Sequence, residues 1–234
     1  MSKDLDNKYF IILNSHEIIF SCLKNENKIS FTKKHILKNG LNNQFVELDN
    51  FFIENLIEIE KSLKDFIKNI YLIFDTGNSL SVDLSTKSNF ESKPINKKKI
   101  NDILNSLKNE FSKYTNEQKI IHMAISKSLV DGKEKDLSLI DDDFKNLILE
   151  LKFECLKNQT VHIVKKIFSN FQISVERVMI ANYLRQNINY KKDKDDIVYL
   201  ANKFLSSRNN EEIFFTQKRL VKQGFFERFL NFFC

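Results

Sequence analysis

The chain has very little of what builds tight loops around phosphate: 4 glycines and 1 proline in 234 residues, and no tryptophan. No GxGxxG, P-loop or GxSxG arrangement is present, which sets aside a glycine-rich phosphate cradle and a nucleophile elbow. The 3 cysteines, Cys22, Cys155 and Cys234, stand far apart and form no CxxC pair. A disulfide framework or a zinc ribbon is therefore not expected, and a reducing compartment fits. No run approaches the ~20 apolar residues that a membrane-crossing helix needs. The opening MSKDLDNKYF is polar and acidic, unlike a secretory leader. These absences lead to the expectation of a cytoplasmic chain whose membrane contact, if any, is peripheral.

What is there is enough for a core. The chain is 42% hydrophobic and 29% charged, outside the range of disordered chains. Its length suits one large domain or two small ones. Isoleucine, lysine, asparagine and phenylalanine are heavily used, the bias an AT-rich genome imposes. The net charge of +6 is compatible with an acidic membrane surface or with nucleic acid and requires neither.

Two apolar runs, Phe10 to Leu13 and Ile18 to Leu23, flank Asn14-Ser15-His16-Glu17 and read as a β-hairpin, with Lys28 to Phe31 as a third strand. Asp49 to Asn69 reads as a helix with Asp49 as its N-cap, because Phe52, Leu56, Ile59, Leu63, Phe66, Ile67 and Ile70 repeat at spacings of three and four. Ile70 to Phe74 is a buried strand that turns at Asp75-Thr76-Gly77-Asn78 into a strand at Ser79 to Leu84. Pro94, in a polar stretch, marks the expected subdomain boundary. Beyond it come a helix with Asn96 as cap and Ile100, Ile103, Leu104, Leu107 and Phe111 on one face, then an apolar run at Lys119 to Ser126. Leu147, Leu149, Leu151 and Phe153 alternate with Ile148, Glu150 and Lys152, the period of a strand. Asn158 or Thr160 caps a helix carrying Val161, Val164, Ile167, Phe168 and Phe171, and Val175 to Ile180 closes a small α+β unit. Gln186 to Glu212 reads as a partly helical linker.

Few residues suggest chemistry. Asp75-Thr76-Gly77 fits a tight turn, where Asp and Gly are the usual residues. The same tripeptide occurs in aspartic proteases, which share a proton between paired carboxylates, and in phosphate-binding turns of actin-like ATPases. His16, His35, His122 and His162 make no HExxH or other metal pair and read as surface or boundary residues. Asp141-Asp142-Asp143 lacks calcium-loop spacing. Lys97-Lys98-Lys99 opens a helix without the interleaved aromatics of RNA-binding surfaces, so no nucleic-acid partner is expected. The predicted catalytic, cofactor and metal residues are none, and the chain is not read as an enzyme.

The strongest signal is the end of the chain. Phe225, Phe226, Phe229, Leu230, Phe232 and Phe233 occupy one side of a short helix, with Glu227, Arg228 and Asn231 on the other. Lys218, Arg219 and Lys222 precede it, and Gly224 separates the two parts. About ten residues make a helix ~15 Å long, half the hydrocarbon core, so it cannot span a bilayer. It can lie in the headgroup layer, phenylalanines down and cations toward anionic lipid. Docking on the chain's own core or in a partner's groove are the alternatives. The membrane-binding residues are therefore Lys218, Arg219, Lys222, Phe225, Phe226, Arg228, Phe229, Leu230, Phe232 and Phe233.

The order of elements resembles the bacterial cell-division protein FtsA, an actin-like family. Pro94 to Arg185 looks like its 1C insertion subdomain, of the SHS2 type. NIYLIFDTGNSLSV, from Asn69, looks like the preceding strand pair, which makes Asp75-Thr76-Gly77 a hairpin turn. GFFERFLNFF, from Gly224, looks like the family's membrane-targeting helix. The family's phosphate-contacting turn carries Asp and Gly, where this chain has Leu13-Asn14-Ser15-His16. The second actin lobe has no counterpart after about Arg185. The resemblance thus implies no cofactor and leaves open both ATP binding and tethering of FtsZ, whose site lies in that lobe.

The expected fold is α+β, a truncated actin-like body of two small subdomains plus a C-terminal amphipathic helix. The expected parts are a 1A-like half-lobe over 8–93, a 1C-like subdomain over 94–185, a polar linker over 186–213 and a basic-aromatic membrane segment over 214–234. The resemblance implies an adaptor on the cytoplasmic face of the inner membrane, contacting that lipid surface and divisome proteins, with self-association through the 1C-like part. A degenerate actin-like nucleotide binder and a PilM-like adaptor of a pilus or secretion system are the alternatives.

Overall fold

The computed structural model describes residues 7–25, 28–38, 40–89, 97–135, 144–188 and 196–206. The chain begins with three antiparallel strands, β1 (Lys8–Asn14), β2 (Glu17–Lys24) and β3 (Lys28–Ile36), as the apolar runs predict. A short 3-10 turn at Gly40–Asn43 leads into helix α1 (Gln44–Leu63), and β4 (Asn69–Asp75) then lies parallel to β1. From there the chain enters a second sheet. β5 (Leu80–Asn89), helix α2 (Lys97–Tyr114), β6 (Gln118–Val130), β7 (Lys133–Glu134) and β8 (Asn146–Lys157) follow in order. Helix α3 (Asn158–Asn170) returns to the first sheet, where β9 (Ser174–Ile180) joins parallel to β4. Helices α4 (Ala181–Asn187) and α5 (Ile197–Ser206) complete the described chain.

The first sheet has the order β3-β2-β1-β4-β9, and the second β5-β8-β6-β7. β1 is buried along its middle because both faces of the sheet are covered, which is why its sequence is a continuous apolar run rather than an alternation. Two neighbouring residues show the two layers. Tyr9 Oη donates to Asp65 just past α1 at 2.6 Å, while the Lys8 ammonium donates to Asn202 of α5 at 2.8 Å. On the α1 side, Phe52 meets Phe168 of α3 edge to face at 4.9 Å. In the second sheet, α2 lays Ile100, Leu104 and Phe111 on the inner row Leu147, Leu149, Leu151 and Phe153. Phe111 stacks on Phe153 at 4.6 Å.

Several expectations need correction. Asp49 does not cap α1 but lies inside it. The helix starts at Gln44, and Gln44, Glu47 and Leu48 of its opening turns are already buried. It ends at Leu63, where Lys64 turns left-handed (φ 54°) and leaves Phe66 to solvent. Asp75-Thr76-Gly77 is not a hairpin turn, since β4 and β5 belong to different sheets. Neither Asn158 nor Thr160 caps α3. The capping position is Lys157, with no side-chain bond, and the Asn158 amide donates to the Asn116 carbonyl at 2.5 Å. The expected partition at 93/94 does not follow the sheets. β5 precedes it but pairs with β8, and β9 follows it but pairs with β4. The segment expected as a linker over 186–213 contains α5, whose Val198, Leu200, Ala201 and Phe204 are buried in the first core. Its composition misleads because the charged stretch before it dilutes a strong apolar stripe. Pro94, Asn96 and Asp141 to Asp143 lie outside the described residues.

Candidate functional site at the carboxyl ends of the parallel strands

In an open sheet with parallel strands, ligands bind beyond the carboxyl ends, where successive connections leave in opposite directions. Here that point lies between β1, which connects outward to β2, and β4, whose next strand in the sheet lies on the other side. The register sets Asn14 beside Asp75 there. Both residues are engaged by the protein's own groups.

Asn14 ends β1 and shapes the hairpin. Its Oδ1 accepts from the amides of His16 at 2.8 Å and Glu17 at 2.7 Å, an Asx turn. Its carbonyl accepts from Gln44 Nε2 of α1 at 2.7 Å. Asp75 ends β4 and receives both guanidinium nitrogens of Arg185, each at 2.7 Å. The pairing raises the Arg185 pKa further through those hydrogen bonds. Gly77 has an ordinary φ and open space around it, so neither backbone conformation nor a close approach demands glycine in this turn.

Beside this point the two sheets meet. His122 of β6 is 1% exposed, its Nε2 accepts the Ile180 amide at 3.0 Å, and its ring stacks on Tyr183 of α4 with centroids 4.1 Å apart. Phe204 of α5 meets the same ring edge-on at 5.4 Å. His122 is thus a core residue, a correction to its reading as a surface or boundary residue. An Nε2 that accepts leaves the proton on Nδ1 of a neutral ring. Glu154, opposite His122 in the β6–β8 register, is 1% exposed and has the Lys152 ammonium at 3.6 Å. Lys152 in turn donates to Gln186 Oε1 at 3.1 Å. His35 pairs with Glu47 at 3.0 Å and ties β3 to α1, while His16 and His162 are exposed. Among the described residues no three His, Cys, Asp or Glu side chains converge as a metal site.

Sequence reading misses Arg185, Gln44 and His122 as elements of this junction. Arg185 stands 110 positions from Asp75, so no local pattern links them. His122 does carry a signal, because it lies in a strand whose neighbours are apolar on both sides. All ten residues assigned to the membrane segment, Lys218 to Phe233, lie outside the described residues. Among the described residues no helix is long and apolar enough to cross a membrane.

No family model matches the chain, and no curated protein does. Solved structures match in shape. A PilM–PilN type IV pilus biogenesis complex is similar with a TM-score of 0.49 and 10% identity, over 76% of this chain and 48% of that one. The cytoplasmic domain of EpsL, an inner-membrane component of the type II secretion system of Vibrio cholerae, gives 0.40 and 10%, over 80% and 59%. A Bacteroides thetaiotaomicron protein of unknown function with an actin-like ATPase fold gives 0.25 and 13%, over 87% and 90%. The chain therefore spans less than two thirds of the first two. The chain itself is an α+β protein built on two sheets.

Proposed function

We propose that this protein is a non-enzymatic adaptor of a membrane-bound assembly, held at the inner-membrane surface by residues 214–234 and contacting protein partners through its two-sheet body. The observation that carries the non-enzymatic part is the occupation of the switch point. Arg185 takes both oxygens of Asp75, and Asn14 takes the hairpin amides. A nucleotide there would have to displace both. The membrane part rests on the one-sided row of phenylalanines behind Lys218, Arg219 and Lys222.

A pilus or secretion machine is the first setting proposed, the kind of assembly from which PilM–PilN and EpsL come. Cell division is the second and rests on the resemblance of the sequence to FtsA. Flotation with anionic vesicles tests the attachment, and thermal unfolding with magnesium and ATP tests the body. No shift in Tm at millimolar nucleotide is expected, and a clear upward shift would make the protein a nucleotide binder.

A further inference from the structure

We infer that the outer edge of β5 is an interface for a second copy of this chain, paired antiparallel about Ser85 so that the second sheet continues into its twin. A long free edge is a template for another strand, and proteins usually blunt such edges with lysines, bulges or brevity. Among the described residues, three of the four sheet edges are blunted. β3 carries Lys28, Lys33 and Lys34 and a register break against β2. β9 carries Glu176 and Arg177 and a register break against β4. On the fourth edge β7 has two residues and covers only Leu129 and Val130 of β6, whose remaining outer side is broken by register shifts against β8 at Ile120/His122 and Ile125/Lys127.

β5 is different. It runs ten residues, Leu80 to Asn89, in unbroken register with β8, and among the described residues it hydrogen-bonds to no other strand. Its only charges are Asp83 and Lys87, both exposed and of opposite sign.

The register follows from side-chain geometry. A two-fold antiparallel pairing that continues the sheet must bring like faces together, so the axis passes through a residue and not between two. Centring the pair on Asp83 or on Lys87 sets like charges directly opposite each other, which destabilises a sheet. Centring it on Leu84 leaves Asp83 against Ser85 and Lys87 against Ser81, and centring it on Thr86 leaves Asp83 against Asn89 and Lys87 against Ser85. Both charges then lack an opposite partner. Centring on Ser85 sets Asp83 of each copy opposite Lys87 of the other. It also sets Leu84 against Thr86 on the inner face, continuous with the second core, and it pairs residues 81 to 89 of both strands, nearly the full length of β5. The product is an eight-stranded sheet across two copies.

Sedimentation of the full chain over a range of concentrations tests this. The wild type is expected to dimerise. Asp83→Lys alone and Lys87→Asp alone are each expected to raise the dissociation constant at least tenfold, since each sets like charges across the axis. Mixed together, the two variants are expected to form a heterodimer, because each then supplies the charge the other lacks. Recovery on mixing also shows that both variants are folded. In a Cys234→Ser background, Ser85→Cys is expected to form a disulfide dimer under mild oxidation, because two copies of residue 85 face each other at ~5 Å. Ser81→Cys is expected not to, because its two copies stand ~27 Å apart along the strands. A wild type that stays monomeric overturns the proposal. So do single variants that associate like wild type, or a mixture that does not recover.

Discussion

Arg185 of α4 closes both of its terminal nitrogens onto the two carboxylate oxygens of Asp75, at 2.7 Å each. The pair joins the end of β4 to the helix that follows β9. Its geometry is the strong, two-pronged kind, but both side chains are partly exposed, with 26% and 49% of their surface open for Asp75 and Arg185. Solvent screening therefore limits its contribution. A double-mutant cycle with Asp75→Ala and Arg185→Ala, read by urea unfolding, is expected to give a coupling of about 1 kcal/mol that shrinks in high salt. A coupling near zero would mean that the two groups merely lie side by side.

The junction between the sheets is expected to be far less tolerant. His122→Ala removes a buried ring from between Tyr183 and Phe204 and leaves the Ile180 amide without its acceptor. Cavity and lost hydrogen bond together are expected to cost about 3 kcal/mol. Phe204→Ala, on the segment whose sequence reads as linker, is expected to cost a similar ~3 kcal/mol. His162→Ala, on an exposed position of α3, is expected to change stability by less than about 0.5 kcal/mol. Urea midpoints measure all three, and a silent Phe204→Ala would return α5 to a linker.

Tyr9 and Asp65 predict how stability varies with pH. The Tyr9 hydroxyl bonded to Asp65 holds that carboxyl below its usual range, while burial, aided by Asp65, pushes the Tyr9 phenol well above its own. A depressed carboxyl contributes stability that is present above its unfolded value of about 4 and is lost as pH falls through the folded one. A raised phenol contributes stability present below its unfolded value of about 10 and lost as pH climbs toward the folded one. Tyr9→Phe is therefore expected to flatten the acid arm of a stability–pH profile and to reduce the alkaline arm. Cys22 and Cys155, whose thiols burial raises, Cys155 to about 12, contribute to the alkaline arm that remains. An acid arm identical in wild type and Tyr9→Phe would contradict this.

Much of the fold is legible from local pattern. β1, β2, β4 and β8 declare themselves as apolar runs or alternations, and α2 and α3 as stripes at helical spacing, because burial on one or both faces dictates those periods. Pairing is not legible in the same way. Leu80 to Asn89 alternates as any half-buried strand does, and nothing in it says that its neighbour is β8 rather than β4. The same holds for β9. Parallel neighbours also need a long crossover, so sequence adjacency misleads. At the switch point, Asp75 is visible as a turn residue, but the Arg185 that neutralises it is not, since only the folded chain brings them together. His122 is hidden for a different reason. A lone histidine is usually exposed, and here the Ile180 amide offsets the cost of burying it by supplying a donor to Nε2.

Attachment of the chain's end to a lipid surface is what separates a membrane-held adaptor from a freely diffusing one. Flotation of the full chain with vesicles containing anionic phospholipid measures it, with a variant carrying both Phe225→Asp and Phe229→Asp alongside. Wild type is expected to rise with the vesicles, less so as salt screens Lys218, Arg219 and Lys222. The double variant is expected to remain at the bottom with an unchanged Tm. A wild type that fails to float, or a double variant that floats equally well, would contradict the membrane-attached adaptor.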